Sequence, residues 1–158
     1  MSPSLRLILT AAIALTLPSC SPDLEKRYDK PMTYEQAKKV VGDFPLPDSC
    51  RNVTYGIYAD WQAYTCLVRF EAPVDVCIKQ IDTVLAWDNQ VYKRDKSYGR
   101  EEIGKTVQGD TSTGWLKEVP WFKPGTIKRG IYTGENSSHI PQIWVDTEKG
   151  VFYYKEED

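Results

Sequence analysis

Acid–base or nucleophilic catalysis needs two or three groups with tuned pKa values converging on one point. The sequence is poor in such groups. It has one histidine, His139, in Asn-Ser-Ser-His-Ile; placed between a polar loop and an apolar run, it reads as a strand-edge residue. Ser137 and Ser138 beside it make no triad, because sequence neighbours rarely face one another and no Gly-x-Ser-x-Gly elbow occurs. The 22 acidic residues allow a glycosidase-style pair in principle, but none sits in an apolar setting that would raise its pKa. No glycine-rich phosphate loop is present. Zinc takes cysteines two to four residues apart or histidine partners, whereas ten residues separate Cys66 from Cys77. A non-enzymatic chain without metal or cofactor is the expectation.

Aromatic side chains offer a different chemistry. Trp115, Trp121, Phe122, Tyr132, Trp144, Phe152, Tyr153 and Tyr154 crowd the last third of the chain. Exposed rings present flat faces to sugars or rigid anchors to a protein partner, and buried ones fill a core. Trp115, Trp121 and Phe122 are the candidate ligand contacts, with Trp121 in Pro-Trp-Phe-Lys-Pro the expected exposed anchor. The formal charge of −2 provides no basic excess to hold phosphates, so nucleic acid is not an expected partner.

The fourth cysteine, Cys20, stands in a distinct setting. A short segment carrying only Arg6 is followed by an uncharged run from Leu7 to Leu17 and then by Leu17-Pro18-Ser19-Cys20. That run is about half of the roughly 20 residues a helix needs to cross a bilayer, so it reads as an export signal and not a permanent span. Ordinary secretory cleavage needs small residues at both flanking positions, and Leu17 is bulky where one is required.

In Leu17, Ser19 and Cys20 the chain resembles bacterial lipoprotein precursors. The resemblance implies cleavage between Ser19 and Cys20, a diacylglyceryl group on the Cys20 thiol, and usually an acylated new N-terminus. Two or three acyl chains anchor stably where one binds marginally. Ser21 after the cysteine resembles lipoproteins sorted to the outer membrane, facing the periplasm, if the organism is Gram-negative. The implied organisation is a signal peptide over 1–19, a lipidated tether over 20–31 and one globular domain over 32–158. The body loosely resembles small uncharacterised lipoprotein domains, through Val-Arg-Phe-Glu-Ala-Pro and Ile-Trp-Val-Asp, and no function comes with that likeness.

The elements that must position these residues follow from periodicity. Thr33 with Gln36 matches a capping box, and Tyr34, Ala37, Val40 and Val41 share a face before Gly42, so a short helix is expected over 34–41. Val53, Tyr55 and Ile57 alternate, as do Tyr64, Cys66, Val68 and Phe70, which makes a hairpin. Val74, Cys77, Ile78, Ile81 and Leu85 fall at helical spacing behind Pro73, so a helix is expected over 73–89, lying across the sheet. Residues 90–114 read as a polar surface excursion in which Lys93, Arg94, Lys96 and Arg100 mix with Asp95, Glu101 and Glu102. A strand is expected over 126–132, and a terminal hairpin turns at Gly150. Phe152 and Tyr154 face away from Val151 and Tyr153, so one pair is outside unless both sheet faces are covered.

The expected fold is α+β: a single antiparallel sheet of about five strands with one long helix packed on a face and a short N-terminal helix. Cys66 and Cys77 read as core residues. Export permits one disulfide among Cys50, Cys66 and Cys77, and the sequence does not choose the pairing. The expected role is a membrane-anchored envelope protein contacting a protein or glycan. An inhibitor or immunity protein against an envelope hydrolase and a carboxylate-dependent envelope enzyme are the alternatives.

Overall fold

The computed structural model describes residues 26–59, 64–93, 97–104, 116, 118–134 and 141–157. They form an α+β fold whose sheet has seven antiparallel strands: β1 (Lys26–Met32), β2 (Arg51–Ala59), β3 (Tyr64–Glu71), β4 (Arg100–Ile103), β5 (Gly130–Thr133), β6 (Gln142–Asp146) and β7 (Val151–Glu157). Their spatial order is β1-β2-β3-β7-β6-β5-β4. The terminal strand β7 therefore lies in the middle, joining the N-terminal three strands to the C-terminal three.

Two more strands are present than expected, and both are edges. β1 reads Lys-Arg-Tyr-Asp-Lys-Pro-Met and β4 reads Arg-Glu-Glu-Ile, each largely exposed. Charge and proline on an edge discourage pairing with another chain, and they also erase the apolar alternation by which a strand is read. β1 begins inside the stretch expected to be a tether. Tyr28 and Met32 pack against the core, so Lys26–Met32, expected as part of the tether, belongs to the sheet.

α1 (Tyr34–Ala37) has the full capping box between Thr33 and Gln36, and turns carry the chain through Val41 to Gly42 at φ +64°. The helix is shorter than the expected span because the bonds after Ala37 mix three- and four-residue spacing. α2 (Val74–Val91) buries Cys77, Gln80, Ile81, Val84 and Asp88, one stripe at helical spacing. The segment expected as a strand over 126–132 splits into a 3₁₀ turn, Pro124–Thr126, and β5.

Each face of the sheet has its own core. On the helix side Val53, Tyr55, Val68, Phe70, Ile143, Val145, Phe152 and Tyr154 pack with Cys77, Ile81 and Val84. On the other side Leu67, Tyr132, Trp144, Val151 and Tyr153 pack under Leu116, Val119, Phe122 and Ile127. Both faces of β7 are thus covered, which resolves the alternation of Val151 to Tyr154 in favour of burial. The second lid is irregular chain, with bonds from Val119 N to Leu116 O and from Phe122 N to Val119 O.

The β6–β7 turn is pinned at Gly150. Asp146 Oδ1 accepts from the backbone N–H of Glu148 (2.9 Å) and Lys149 (3.0 Å), and Gly150 N–H donates to Asp146 O at 2.9 Å. Gly150 has φ +66°, and a Cβ there would lie 2.3 Å from the Ala72 carbonyl oxygen. Its own carbonyl accepts from Ala72 N–H at 3.0 Å. A side chain would push the turn off the β3–α2 junction. Gly150→Ala is expected to lose about 2–3 kcal/mol, read as a lower urea midpoint with an unchanged slope.

Candidate functional site

Trp121 is half-buried. Its Nε1–H donates to Asp29 Oδ1 at 2.7 Å, tying the irregular lid to edge strand β1. Trp121 meets Phe122 edge-on at 5.9 Å. Phe122 in turn meets Tyr153 at 5.6 Å and Trp144 at 6.0 Å, both nearly perpendicular, the edge-to-face geometry aromatic quadrupoles favour. Phe122 is 5% exposed, which removes it from the candidate contacts: its ring fills the second core. Trp115 lies outside the described residues, as do Ser19, Cys20 and His139.

Asp29 also lines an open groove of about 770 Å³ between β1 and α1, with Arg27, Tyr28, Lys30, Met32 and Lys39. Its lining includes three cations and one carboxylate; the carboxylate is engaged by Trp121, and the Arg27 guanidinium stacks 4.8 Å over the Tyr58 ring. Charge on an edge strand was legible as a solvated stretch. Its convergence with Lys39 was not, because the short α1 brings Lys39 back over β1.

A second polar cluster lies on the helix side, at the end of the sheet where β3 starts and β7 finishes. Glu156 is 3% exposed. Its Oε2 accepts from Tyr154 OH at 2.9 Å and from Tyr92 OH at 3.1 Å, and the Tyr64 and Tyr92 hydroxyls are 2.9 Å apart. With the Tyr92 proton committed to Glu156, Tyr64 donates to Tyr92. Burial first, and the Glu156 charge second, push the Tyr154 phenol far above its ordinary value. Burial and then the Tyr64 hydrogen bond do the same to Tyr92. These phenols stay protonated as donors over the physiological range, so the cluster is a fixed chain of hydrogen bonds ending on a carboxylate. On the opposite face Lys155, 5% exposed, pairs with Glu157 Oε1 at 2.9 Å. The alternation of β7 therefore places the Glu156 carboxylate on one face and the Lys155–Glu157 pair on the other.

In this structure Cys50, Cys66 and Cys77 are unbridged. Cys50 and Cys77 are buried in the helix-side core, and Cys66 is half-buried against it. Burial, followed by the charge of Glu156, pushes the Cys66 thiol up to about 12. Among the described residues no three His, Cys, Asp or Glu side chains converge as a metal site, and no helix is long and apolar enough to cross a membrane. No family model, curated protein or solved structure matches the chain.

Removing the acceptor at Glu156 would strand buried hydroxyls, a larger loss than removing one donor. Glu156→Leu is expected to lose about 2–4 kcal/mol in urea unfolding, and Tyr154→Phe less than half of that. Equal losses would contradict the chain of donors described here.

Proposed function

We propose that the chain is a membrane-anchored envelope lipoprotein whose domain is a non-enzymatic contact module for a protein or glycan partner. The observation that carries the reading is the Leu17-Pro18-Ser19-Cys20 sequence ahead of a domain whose first strand starts at Lys26. Six residues at full extension reach at most about 20 Å. Acyl chains on Cys20 would thus hold β1 close to the headgroups, with the β1–α1 groove near the anchored end of the domain.

The groove suits a contact role. Lys30 and Lys39 offer donors to hydroxyls or carboxylates beside the Tyr28 and Met32 side chains, and the half-buried Trp121 is held across the edge strand by its bond to Asp29. The buried tyrosine–carboxylate chain contributes rigidity to the far end of the sheet in this reading and takes no part in a reaction.

Cys20→Ala is expected to move the protein out of the membrane fraction and out of the detergent phase, with the leader retained or cut elsewhere. Crosslinking in intact envelopes is expected to capture a partner with the wild type. A combined Trp121→Ala and Lys39→Glu variant should capture it at least about tenfold less, a loss of 1.4 kcal/mol or more. Unchanged membrane retention of Cys20→Ala would remove the anchor from the account, and unchanged capture would remove the groove.

A further inference from the structure

We propose that Cys50 and Cys77 are a disulfide-forming pair, oxidised as the chain folds by exchange with a disulfide-carrying oxidant, and that Cys66 remains a free thiol. Three thiols allow three pairings, and the backbone selects among them. Arg51 pairs with Glu71 at the end of the β2–β3 ladder; one step further brings Cys50 abreast of Ala72. Antiparallel neighbours sit about 4.5–5.5 Å apart. Cys77 Sγ–H donates to the Ala72 carbonyl oxygen at 3.6 Å. The Cys77 thiol is thus fixed where β3 hands over to α2, and the backbone of Cys50 runs beside the same junction. Cys50 is near enough to act electrostatically on Cys77, and both lie in one buried cluster.

Cys66 is excluded by position. It lies six residues before Ala72 on the extended strand β3, on the order of 20 Å away at about 3.3 Å per residue. A disulfide tolerates Cα atoms no more than about 7 Å apart. Cys66 faces Glu156 across the ladder, at the opposite end of the sheet from Cys50 and Cys77.

The chemistry balances as ordinary exchange. One thiolate attacks the oxidant's disulfide and forms a mixed disulfide while half of the oxidant departs as a thiolate. The second cysteine thiolate then attacks the mixed disulfide and releases the other half. Two electrons pass to the oxidant, which leaves as two thiols, and the two cysteine protons go to solvent or to the departing thiolates. Burial pushes the thiols of Cys50 and Cys77 up to about 11 each, so the folded dithiol reacts slowly. Oxidation belongs to the folding stage, before the helix-side core closes over the pair. The bridge would tie the start of β2 to the first turn of α2. Its occurrence in the cell rests on the export proposed above; the geometry does not.

The test uses the full chain with its own N-terminus, made in a bacterial host and purified in detergent. The protein is reduced and unfolded, refolded in a mixture of reduced and oxidised glutathione, alkylated and digested with trypsin. Cleavage after Lys39, Arg51, Arg69 and Lys79 places Cys50, Cys66 and Cys77 in three separate peptides. The expected map shows the Cys50 and Cys77 peptides linked and Cys66 alkylated. The refolded protein should melt higher than its reduced form by on the order of 10 °C, as expected for closing a loop of this length. Cys66→Ala should keep that redox-dependent shift, and Cys50→Ala and Cys77→Ala should each abolish it. Alkylation of both Cys50 and Cys77, or a bridge containing Cys66, overturns the assignment. The same digest reports the anchor separately: an alkylated Cys20 would count against lipidation and leave the pairing untouched.

Discussion

Strand β7 is the constraint on which the rest of the structure depends. Among the described residues it is the strand that joins both halves of the sheet, with β3 on one side and β6 on the other. Every side chain from Val151 to Glu156 is buried. A strand with a period of two can be buried on all positions only if both faces are covered. That requirement calls for α2 on one side and Leu116, Val119, Phe122 and Ile127 on the other. Phe152 stacks on Phe70 at 4.7 Å on the helix side, while Tyr153 meets Phe122 on the other. Polar groups at the end of β7 must then be satisfied internally, and Glu156 and Lys155 find Tyr154, Tyr92 and Glu157.

Much of this was legible in the residues wherever burial imposes a period. The β2–β3 hairpin, α2 and the Gly150 turn follow from apolar spacing and from one residue able to take positive φ. The capping box of Thr33 and Gln36 is present as the pattern implies. The misses share one physical origin. β1 and β4 are edges, stabilised by backbone pairing on one side and kept polar on the other, so Lys26 to Met32 resembles a tether. The lid formed by residues 116 and 118–127 has no apolar period and only short turns. Without it the aromatic excess read either as surface contacts or as core filling, and Phe122, a candidate contact, has its ring in the second core. The Tyr64–Tyr92–Glu156–Tyr154 chain joins residues up to 92 positions apart by number, from 64 to 156, and no local signal could assemble it.

The two proposals meet at the N-terminal half of the sheet. A lipid at Cys20 would hold β1 beside the membrane and set the groove of Arg27, Lys30 and Lys39 near the headgroup layer. A bridge between Cys50 and Cys77 would fasten β2, the strand that carries β1, to the helix layer. With both in place, load applied through the anchor would pass from β1 into β2 by their ladder, and then into the helix layer through the bridge. A contact module at a membrane surface needs such a rigid route, because a groove that moves relative to its anchor presents no fixed face to a partner.

The intact mass of the mature protein, extracted from the envelope of cells carrying the unaltered gene, tests the central functional claim most directly. The account predicts a polypeptide beginning at Cys20, heavier than its sequence by the diacylglyceryl group and, where present, by an N-terminal acyl chain. A mass corresponding to a free Cys20 thiol, or to a chain that still carries residues 1–19, would contradict it.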